Sequence, residues 1–123
     1  MDKKFVKLFL HDIGRIHGVS ESGIELLIFI VANMKSDNYF ITQSAMLDKA
    51  TRATEKSLKT VRALITELVK SKLIIRVAQN VYMVNPFIAA IGDEKAVLSK
   101  RQLFMHIKYE LNGVTRDISV GYE

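Results

Sequence analysis

Lysine, arginine and threonine recur every three or four residues between positions 56 and 70 of this 123-residue chain. Residues at that spacing share one side of a helix. Cationic side chains and short hydroxyl side chains are the types that contact phosphate oxygens and base edges in a nucleic-acid groove. The residues of the pattern are Lys56, Ser57, Lys59, Thr60, Arg62, Ala63, Thr66 and Lys70. Their chemistry indicates that this side of the helix binds a polyanion.

The positive charge of the chain is concentrated around this pattern. Residues 49–76 hold eight Lys or Arg and two Asp or Glu, a net charge of +6. Residues 1–48 hold five and six, a net of −1, and residues 77–123 hold five and five, a net of zero. A localised basic zone on a near-neutral body is typical of proteins that bind polyanions. Composition alone also allows a solvated helix face whose cations only aid solubility.

The residue types do not support a catalytic site or a metal site. The chain has no cysteine, so neither a disulfide framework nor thiolate chemistry is expected. His11 and His17 are six residues apart, which is not a facing helical spacing, and His106 is far from both. The sequence shows no glycine-rich phosphate loop, no nucleophile elbow and no HExxH motif. We therefore predict no catalytic residue, no metal and no other cofactor, and we do not expect an enzyme.

The element that must carry the basic pattern is a helix with one buried side. Val61, Leu64, Ile65 and Leu68 recur at i, i+3, i+4 and i+7, which predicts an apolar stripe opposite the cations. Ser57 is placed to cap this helix by accepting a hydrogen bond from the backbone N–H of Lys59 or Thr60. The cations and the small residues would then remain at the surface.

A strongly apolar helix and two shorter elements precede the basic helix. Ser22 and Glu25 form a predicted capping box, and apolar residues at helical spacing follow as far as Met34. A turn cluster and a short β-prone stretch, residues 39–41, come next. A short helix then starts with Thr42 or Ser44 as its cap and ends near Arg52.

A β-hairpin is predicted directly after the basic helix. Residues 73–77 and 81–84 are β-prone, residues 78–80 form a three-residue tip, and Pro86 ends the second strand. The order of helix, strand, short helix, longer basic helix and hairpin is that of a winged helix-turn-helix. The predicted fold class is therefore mainly α with a small β-hairpin, a winged helix-turn-helix with N-terminal and C-terminal helical extensions.

The two ends of the chain are less defined by their patterns. Residues 4–10 allow either a strand or the start of a short helix. In the C-terminal part, Asp93 can cap a helix from Glu94, or Ser99 with Gln102 can start one at Lys100. The apolar face of that helix is formed by Leu103, Phe104, Ile107 and Leu111. We predict a helix stop at Asn112–Gly113.

A single domain is expected from the chain length. It comprises a winged helix core at about residues 20–86, a helical extension at about residues 87–112 and a loose tail at residues 113–123. The longest apolar run, residues 26–32, is far too short to cross a bilayer, and we recognise no signal peptide. We expect no membrane association and a cytoplasmic location.

Three stretches of the sequence resemble the RepL-type plasmid replication proteins of Gram-positive bacteria. They are FVKLFLHDIGRIHGVSESGIELLIFIVANM, SLKTVRALITELVKSKLIIR and VYMVNPFIAAIGD, and the resemblance spans residues 5 to about 104. Its most distinctive part is the segment from Tyr82 to Pro86. The resemblance implies a winged helix domain that acts at a plasmid replication origin. The family often has a glycine at the turn before the recognition helix, whereas this chain has none between Arg52 and Glu55.

The predicted function is sequence-specific binding of double-stranded DNA, as a plasmid replication initiator or copy-control protein. For the DNA groove we predict Lys56, Ser57, Lys59, Thr60, Arg62, Ala63 and Thr66. For the backbone and the wing we predict Gln43, Ser44, Arg52, Arg76, Gln79 and Asn80. Host replication proteins are possible further partners. Two alternatives remain open: a winged helix transcriptional regulator, and a protein-interaction module that binds no nucleic acid.

A homodimer is expected, with the C-terminal apolar face and the N-terminal segment as candidate seams. A symmetric dimer of this fold would read half-sites about 34–36 Å apart, which is one turn of the duplex. Five or six phosphate contacts would give a log–log salt dependence of the affinity of roughly −5.

Overall fold

The computed structural model describes residues 6–8 and 18–119 of the chain, with side chains described for residues 18–110. Its elements in chain order are β1 (Val6–Leu8), α1 (Glu21–Asn33), β2 (Tyr39–Ile41), α2 (Ser44–Thr54), α3 (Leu58–Lys70), β3 (Ile74–Ala78), β4 (Val81–Val84), β5 (Ala89–Ile91) and α4 (Glu94–Ser119). In its described part the chain has a mainly-α, winged helix-like fold, as predicted from the sequence.

Helices α1, α2 and α3 enclose the main core. The predicted apolar stripe of α3 is confirmed, since Val61 and Leu68 are completely buried and Leu64 and Ile65 nearly so. These side chains pack against buried residues of the other two helices, which are Leu26, Leu27, Ile30, Val31, Leu47 and Ala50. Burial of this stripe fixes the rotation of α3 about its own axis, and thereby decides which of its residues face outwards.

A three-stranded antiparallel sheet with the order β2–β4–β3 lies beside the helices. Alternate residues of its strands face opposite sides, as the two-residue period of a strand requires. One face contributes Phe40, Ile74 and Val84 to the main core. The other face contributes Ile75 and Met83 to a second cluster, which also contains Phe104 of α4. The sheet is thus buried on both faces, between the three-helix unit and α4.

Strands β1 and β5 form a separate antiparallel pair in which Val6 lies opposite Ile91 and Leu8 opposite Ala89. The N-terminal segment was open to either a strand or a helix, and residues 6–8 are a strand. The predicted N-terminal helical extension otherwise falls on residues outside the described part. In the C-terminal part, residues 89–91 are a strand although we predicted a helical extension from residue 87. They bond to a strand some 80 positions earlier, which no local pattern reveals.

The caps of α1 and α2 differ from those predicted. Ser20, not Ser22, caps α1, and its Oγ accepts a hydrogen bond of 3.0 Å from the backbone N–H of Gly23. Helix α2 has Gln43 at its N-cap position without a side-chain hydrogen bond, so neither Thr42 nor Ser44 caps it. At the start of α1, Glu67 of α3 holds Ser20 in place, because the Glu67 carboxylate accepts a hydrogen bond of 2.7 Å from the backbone N–H of Ser20.

Helix α4 starts at Glu94, and the Oδ1 of Asp93 accepts a hydrogen bond of 2.9 Å from the backbone N–H of Ala96. Of the two predicted starts, the one capped by Asp93 is therefore confirmed, and the one at Lys100 is wrong. The predicted stop at Asn112–Gly113 is also wrong, because the helix backbone continues to Ser119. A glycine costs an established helix only about 1 kcal/mol, which a long, anchored helix tolerates.

Lys100 of this helix joins α4 to β5. Its ammonium group donates a hydrogen bond to the carbonyl oxygen of Ile91. Burial lowers the pKa of Lys100, while the negative charges of Asp37 and Asp93 act in the opposite direction. None of the helices in the described part of the chain is long and apolar enough to span a membrane.

Candidate nucleic-acid interface

Helix α3 begins after Ser57, whose hydroxyl oxygen accepts a hydrogen bond of 3.2 Å from the backbone N–H of Thr60. This confirms the predicted cap. The Ser57 hydroxyl also donates to the hydroxyl of Thr60, at 3.0 Å. Thr60 therefore lies at the flank of the first turn and serves the cap, and the structure does not group it with the outward-facing cations.

The outward side of α3 carries five exposed residues: Lys59, Arg62, Ala63, Thr66 and Lys70. At 100° per residue they fall within an arc of about 100°, opposite the buried stripe. We call this arc the basic face. It contains no acidic side chain, because Glu67, the acidic residue of the helix, turns to the flank and bonds to Ser20. Of these residues, Lys70 was predicted on this side of the helix but not among the residues for the DNA groove.

Ala63 and Thr66 give the middle of the basic face a low profile. Ala63 is exposed and has only a methyl group. The hydroxyl of Thr66 donates a hydrogen bond of 3.2 Å to the backbone carbonyl of Arg62, which keeps the side chain close to the helix. The oxygen of that hydroxyl can still accept a hydrogen bond from a ligand. Long cations surround this low region.

A groove of about 440 Å³ separates α2 from the start of α3. It is lined by Ser44, Leu47, Asp48, Thr51, Lys56, Ser57, Leu58 and Arg62. Four predicted site residues, from α2, the turn after it and α3, are thus brought together there: Ser44, Lys56, Ser57 and Arg62. Asp48 was not predicted, and it forms an ion pair of 2.5 Å with Arg52 one turn later. Both members of this pair are largely exposed, so the pair is weak and Arg52 can exchange its partner.

The turn between α2 and α3 is made without glycine. Glu55 adopts the left-handed conformation, with φ of 57°, and its backbone N–H donates to the carbonyl of Thr51. Left-handed backbone costs a residue with a side chain roughly 1–2 kcal/mol. This explains how a chain lacking the glycine that the resemblance led us to expect still closes the turn.

The wing is the hairpin of β3 and β4, and its tip is shorter than predicted. Strand β3 extends to Ala78, which pairs with Val81, and the register shifts between Arg76 and Ala78. The tip is therefore the two residues Gln79 and Asn80, not three, and a bulge at position 77 accommodates the additional residue. Asn80 has a φ of 61°, a conformation that asparagine tolerates better than most residues.

The wing tip is attached to the start of α2. The carbonyl of Asn80 accepts hydrogen bonds from the backbone N–H of Thr42, at 2.8 Å, and from its hydroxyl, at 3.2 Å. Thr42 directly precedes Gln43 and Ser44, both of which are exposed. The tip residues and the uncapped first turn of α2 therefore lie along one edge of the domain, and Arg76 is exposed on β3 nearby in the chain.

Within the described residues, no group of three or more His, Cys, Asp or Glu side chains is placed to hold a metal ion. His11 and His17 lie outside the described part. The ionisable residues described in this region are exposed or half-buried. The features that distinguish the region are its positive charge and its shape.

Comparison with known proteins identifies a family. A family model described as "Firmicute plasmid replication protein (RepL)" matches residues 1–118. No curated protein and no solved structure matches the chain significantly. The match covers nearly the whole sequence, including every element that forms the interface above. The resemblance seen in the sequence is thereby confirmed, and the chain belongs to the RepL family of Firmicute plasmid replication proteins.

Proposed function

We propose that this protein binds double-stranded DNA sequence-specifically and without catalysis, at a plasmid replication origin. The observation that carries the proposal is the basic face of α3, an arc free of acidic residues on a helix whose rotation is fixed by its buried stripe. Membership of a plasmid replication family supports an origin as the place of binding. Acting on plasmid DNA, the protein would work in the cytoplasm.

In this proposal α3 enters the major groove. Arg62 and Lys59 reach guanine edges or phosphates, and Thr66 contacts either a base edge or a thymine methyl group. Ala63 allows the helix backbone to approach the base pairs closely. Lys70 continues the same face toward the end of the helix and contacts the phosphate backbone beyond the groove.

The surrounding residues grip the phosphate backbone. The uncapped first turn of α2, at Gln43 and Ser44, offers backbone N–H groups and a positive helix end to a phosphate. The wing residues Gln79, Asn80 and Arg76 contact the flanking strand. On the other side of α3, three predicted residues complete the grip: Lys56, Ser57 and Arg52, the last after it exchanges Asp48 for a phosphate.

The bound protein then acts through other molecules. It either recruits host replication proteins to the origin or represses its own promoter, and it binds as a homodimer to two half-sites. The same surface would serve a transcriptional regulator, so the position of the preferred site distinguishes these roles. A site inside the origin supports initiation, and a site only at the promoter supports repression.

The test is a gel-shift measurement on fragments of the plasmid origin, the promoter and unrelated DNA. Wild-type protein should prefer an origin or promoter fragment, and the double variant Lys59→Ala/Arg62→Ala should lose most of that affinity. Lys35→Ala removes one exposed cation at the opposite end of β2 from the wing tip and should have no effect. Unchanged affinity of the double variant would contradict the assignment of α3. An absence of DNA binding would favour a protein-interaction module.

A further inference from the structure

The outer side of α4 carries a row of exposed apolar side chains. Leu98 is 57% exposed, Met105 49% and Tyr109 67%. Their spacing of seven and four residues places them on one side of the helix, with Gln102 between them. The side of α4 that packs on the sheet is a different one, formed by Phe104 and Ile107. We call the exposed row the α4 stripe.

We propose that the α4 stripe is where two copies of this chain meet, with their α4 helices antiparallel. The inference builds on the proposed function, because it supplies the second copy that two half-sites require. Apolar rows along an outer helix face usually mark an interaction surface rather than a solvated one. A twofold axis requires that such a row be complementary to itself.

The row is self-complementary about a point between residues 103 and 104. With the axis there, Leu98 lies against the partner's Tyr109, and Gln102 lies against the partner's Met105. Each apolar residue near the ends of the row then meets an apolar residue, and the amide in the middle meets a thioether that adapts its shape readily. Both contacts occur twice by symmetry.

Charge complementarity favours the antiparallel direction. Lys95 and Glu110 are exposed on the same flank of the stripe. An antiparallel pair brings Lys95 beside the partner's Glu110, twice. A parallel pair would leave these residues about 22 Å apart along the axis, since they are 15 positions apart at 1.5 Å per residue. Among the side chains described, the carboxylate of Glu110 has a long contact of 3.8 Å to His106, one turn before it.

The other flank adds little repulsion. Its arginine, Arg101, lies 4.7 Å from the centre of the Phe87 ring and donates a hydrogen bond of 3.2 Å to the carbonyl of Pro86. The Arg101 side chain therefore points toward its own chain and away from the partner copy. Lys108 on the same flank is half-buried.

The size of the stripe implies a weak dimer. Three large side chains per copy cover less than the ~800 Å² per partner that a stable interface typically buries. Two copies on adjacent half-sites are held at a high effective concentration, which strengthens a weak contact without any new interaction. The protein is therefore expected to be mainly monomeric when dilute and dimeric on DNA that carries both half-sites.

Disulfide cross-linking tests the arrangement directly, because the chain has no cysteine of its own. The double variant Leu98→Cys/Tyr109→Cys, oxidised at high protein concentration without DNA, should form a covalent dimer in high yield. Leu98→Cys alone is the matched control. In the antiparallel pair its two copies are about 17 Å apart, far beyond the ~7 Å limit between Cα atoms for a disulfide. Equal yields from both variants, or no dimer from the double variant, would overturn the proposal.

A charge exchange gives an independent readout by sedimentation equilibrium. Lys95→Glu and Glu110→Lys should each weaken self-association about threefold or more, since each creates two like-charged contacts, and the double exchange should restore it. Failure of the double variant to recover would contradict the pairing. Affinity for DNA with a single half-site should be unchanged in all three variants, so a failure of this interface is distinguishable from a failure of DNA binding.

Discussion

At the scale of single residues, Ala63 shows how a small side chain contributes to a binding surface. It is exposed in the middle of the basic face, so its substitution does not disturb the core. In the proposed complex it lies where the helix backbone comes nearest to the base pairs. The cations around it supply attraction, whereas Ala63 supplies the space that the duplex needs.

We therefore expect Ala63→Leu to reduce specific DNA affinity by at least tenfold without changing net charge, because the larger side chain holds α3 away from the groove. Fluorescence anisotropy with the preferred DNA fragment measures this. Ala32→Leu makes the same change at an exposed position of α1 and should bind as the wild type does. Equal affinities of the two variants would show that α3 does not approach the duplex through Ala63.

Glu67 has a structural role that also keeps the basic face free of negative charge. Its Oε2 accepts hydrogen bonds of 2.7 Å from the backbone N–H of Ser20 and 2.9 Å from the Ser20 hydroxyl. Gly23 leaves the necessary space, since a Cβ atom there would come within 2.5 Å of the same oxygen. A carboxylate at the start of α1 also interacts favourably with the helix dipole.

Glu67→Gln should lower the free energy of unfolding by about 1–2 kcal/mol, because a neutral amide accepts these bonds less strongly. Chemical denaturation measures the loss. Glu21→Gln, an exposed position in the first turn of the same helix, should cost clearly less. DNA affinity of Glu67→Gln should not fall, and a marked fall would indicate that the carboxylate faces the ligand.

At the scale of elements, local pattern predicted what local interactions determine. The stripe and cap of α3, the order of helices and strands, and the start of α4 at Glu94 all follow from spacing and capping chemistry. Distant contacts determine the rest. Strand β5 needs β1, and the cap at Ser20 is held by Glu67. The two-residue wing tip follows from the shift in register between β3 and β4.

In two turns the left-handed residue could not be identified from the sequence, because it is not a glycine. Glu55 before α3 and Lys72 after it have φ values of 57° and 62°. Glycine would have indicated these positions in the sequence. With Glu and Lys there, nothing in the residue types shows which residue of each turn is left-handed. The placement of the basic residues in the candidate site could nevertheless be predicted, because it depends only on the rotation of α3.

Glu55→Gly should raise the free energy of unfolding by about 0.5–1 kcal/mol, because glycine adopts the left-handed conformation without a Cβ clash. Glu55→Ala is the matched control, since it removes the same carboxylate but keeps the Cβ, and it should give no gain. Thermal denaturation of both variants measures the difference. If alanine stabilised the chain as much as glycine does, the effect would be one of charge rather than of backbone conformation.

At the scale of the whole molecule, α4 is a structural layer rather than an appendage. In the predicted C-terminal helical extension, Phe104 is only 1% exposed and packs against the face of the sheet that points away from the main core. A buried side chain that packs against Ile75 of β3 and Met83 of β4 couples the stability of α4 to that of the wing. Helix α4 thus supports the wing on the face of the sheet opposite the main core. This support suits an element that must hold a fixed position beside a recognition helix.

Phe104→Ala should therefore lower the free energy of unfolding by about 3–5 kcal/mol, as expected for a large aromatic residue removed from a core. Leu103→Ala, the neighbouring and partly exposed position, should cost about 1 kcal/mol or less. Urea denaturation distinguishes them. Similar small losses for both would mean that α4 is only loosely attached to the sheet.

The central claim, that the basic face of α3 and the wing bind a duplex, is tested most directly by the salt dependence of the affinity of the intact protein for origin DNA. The account predicts a log–log slope of roughly −5, which Lys59→Ala/Arg62→Ala should reduce in magnitude by about 2, at ~0.9 per phosphate contact. Lys35→Ala should leave the slope unchanged. A nearly flat salt response, or an unaltered slope in the double variant, would contradict it.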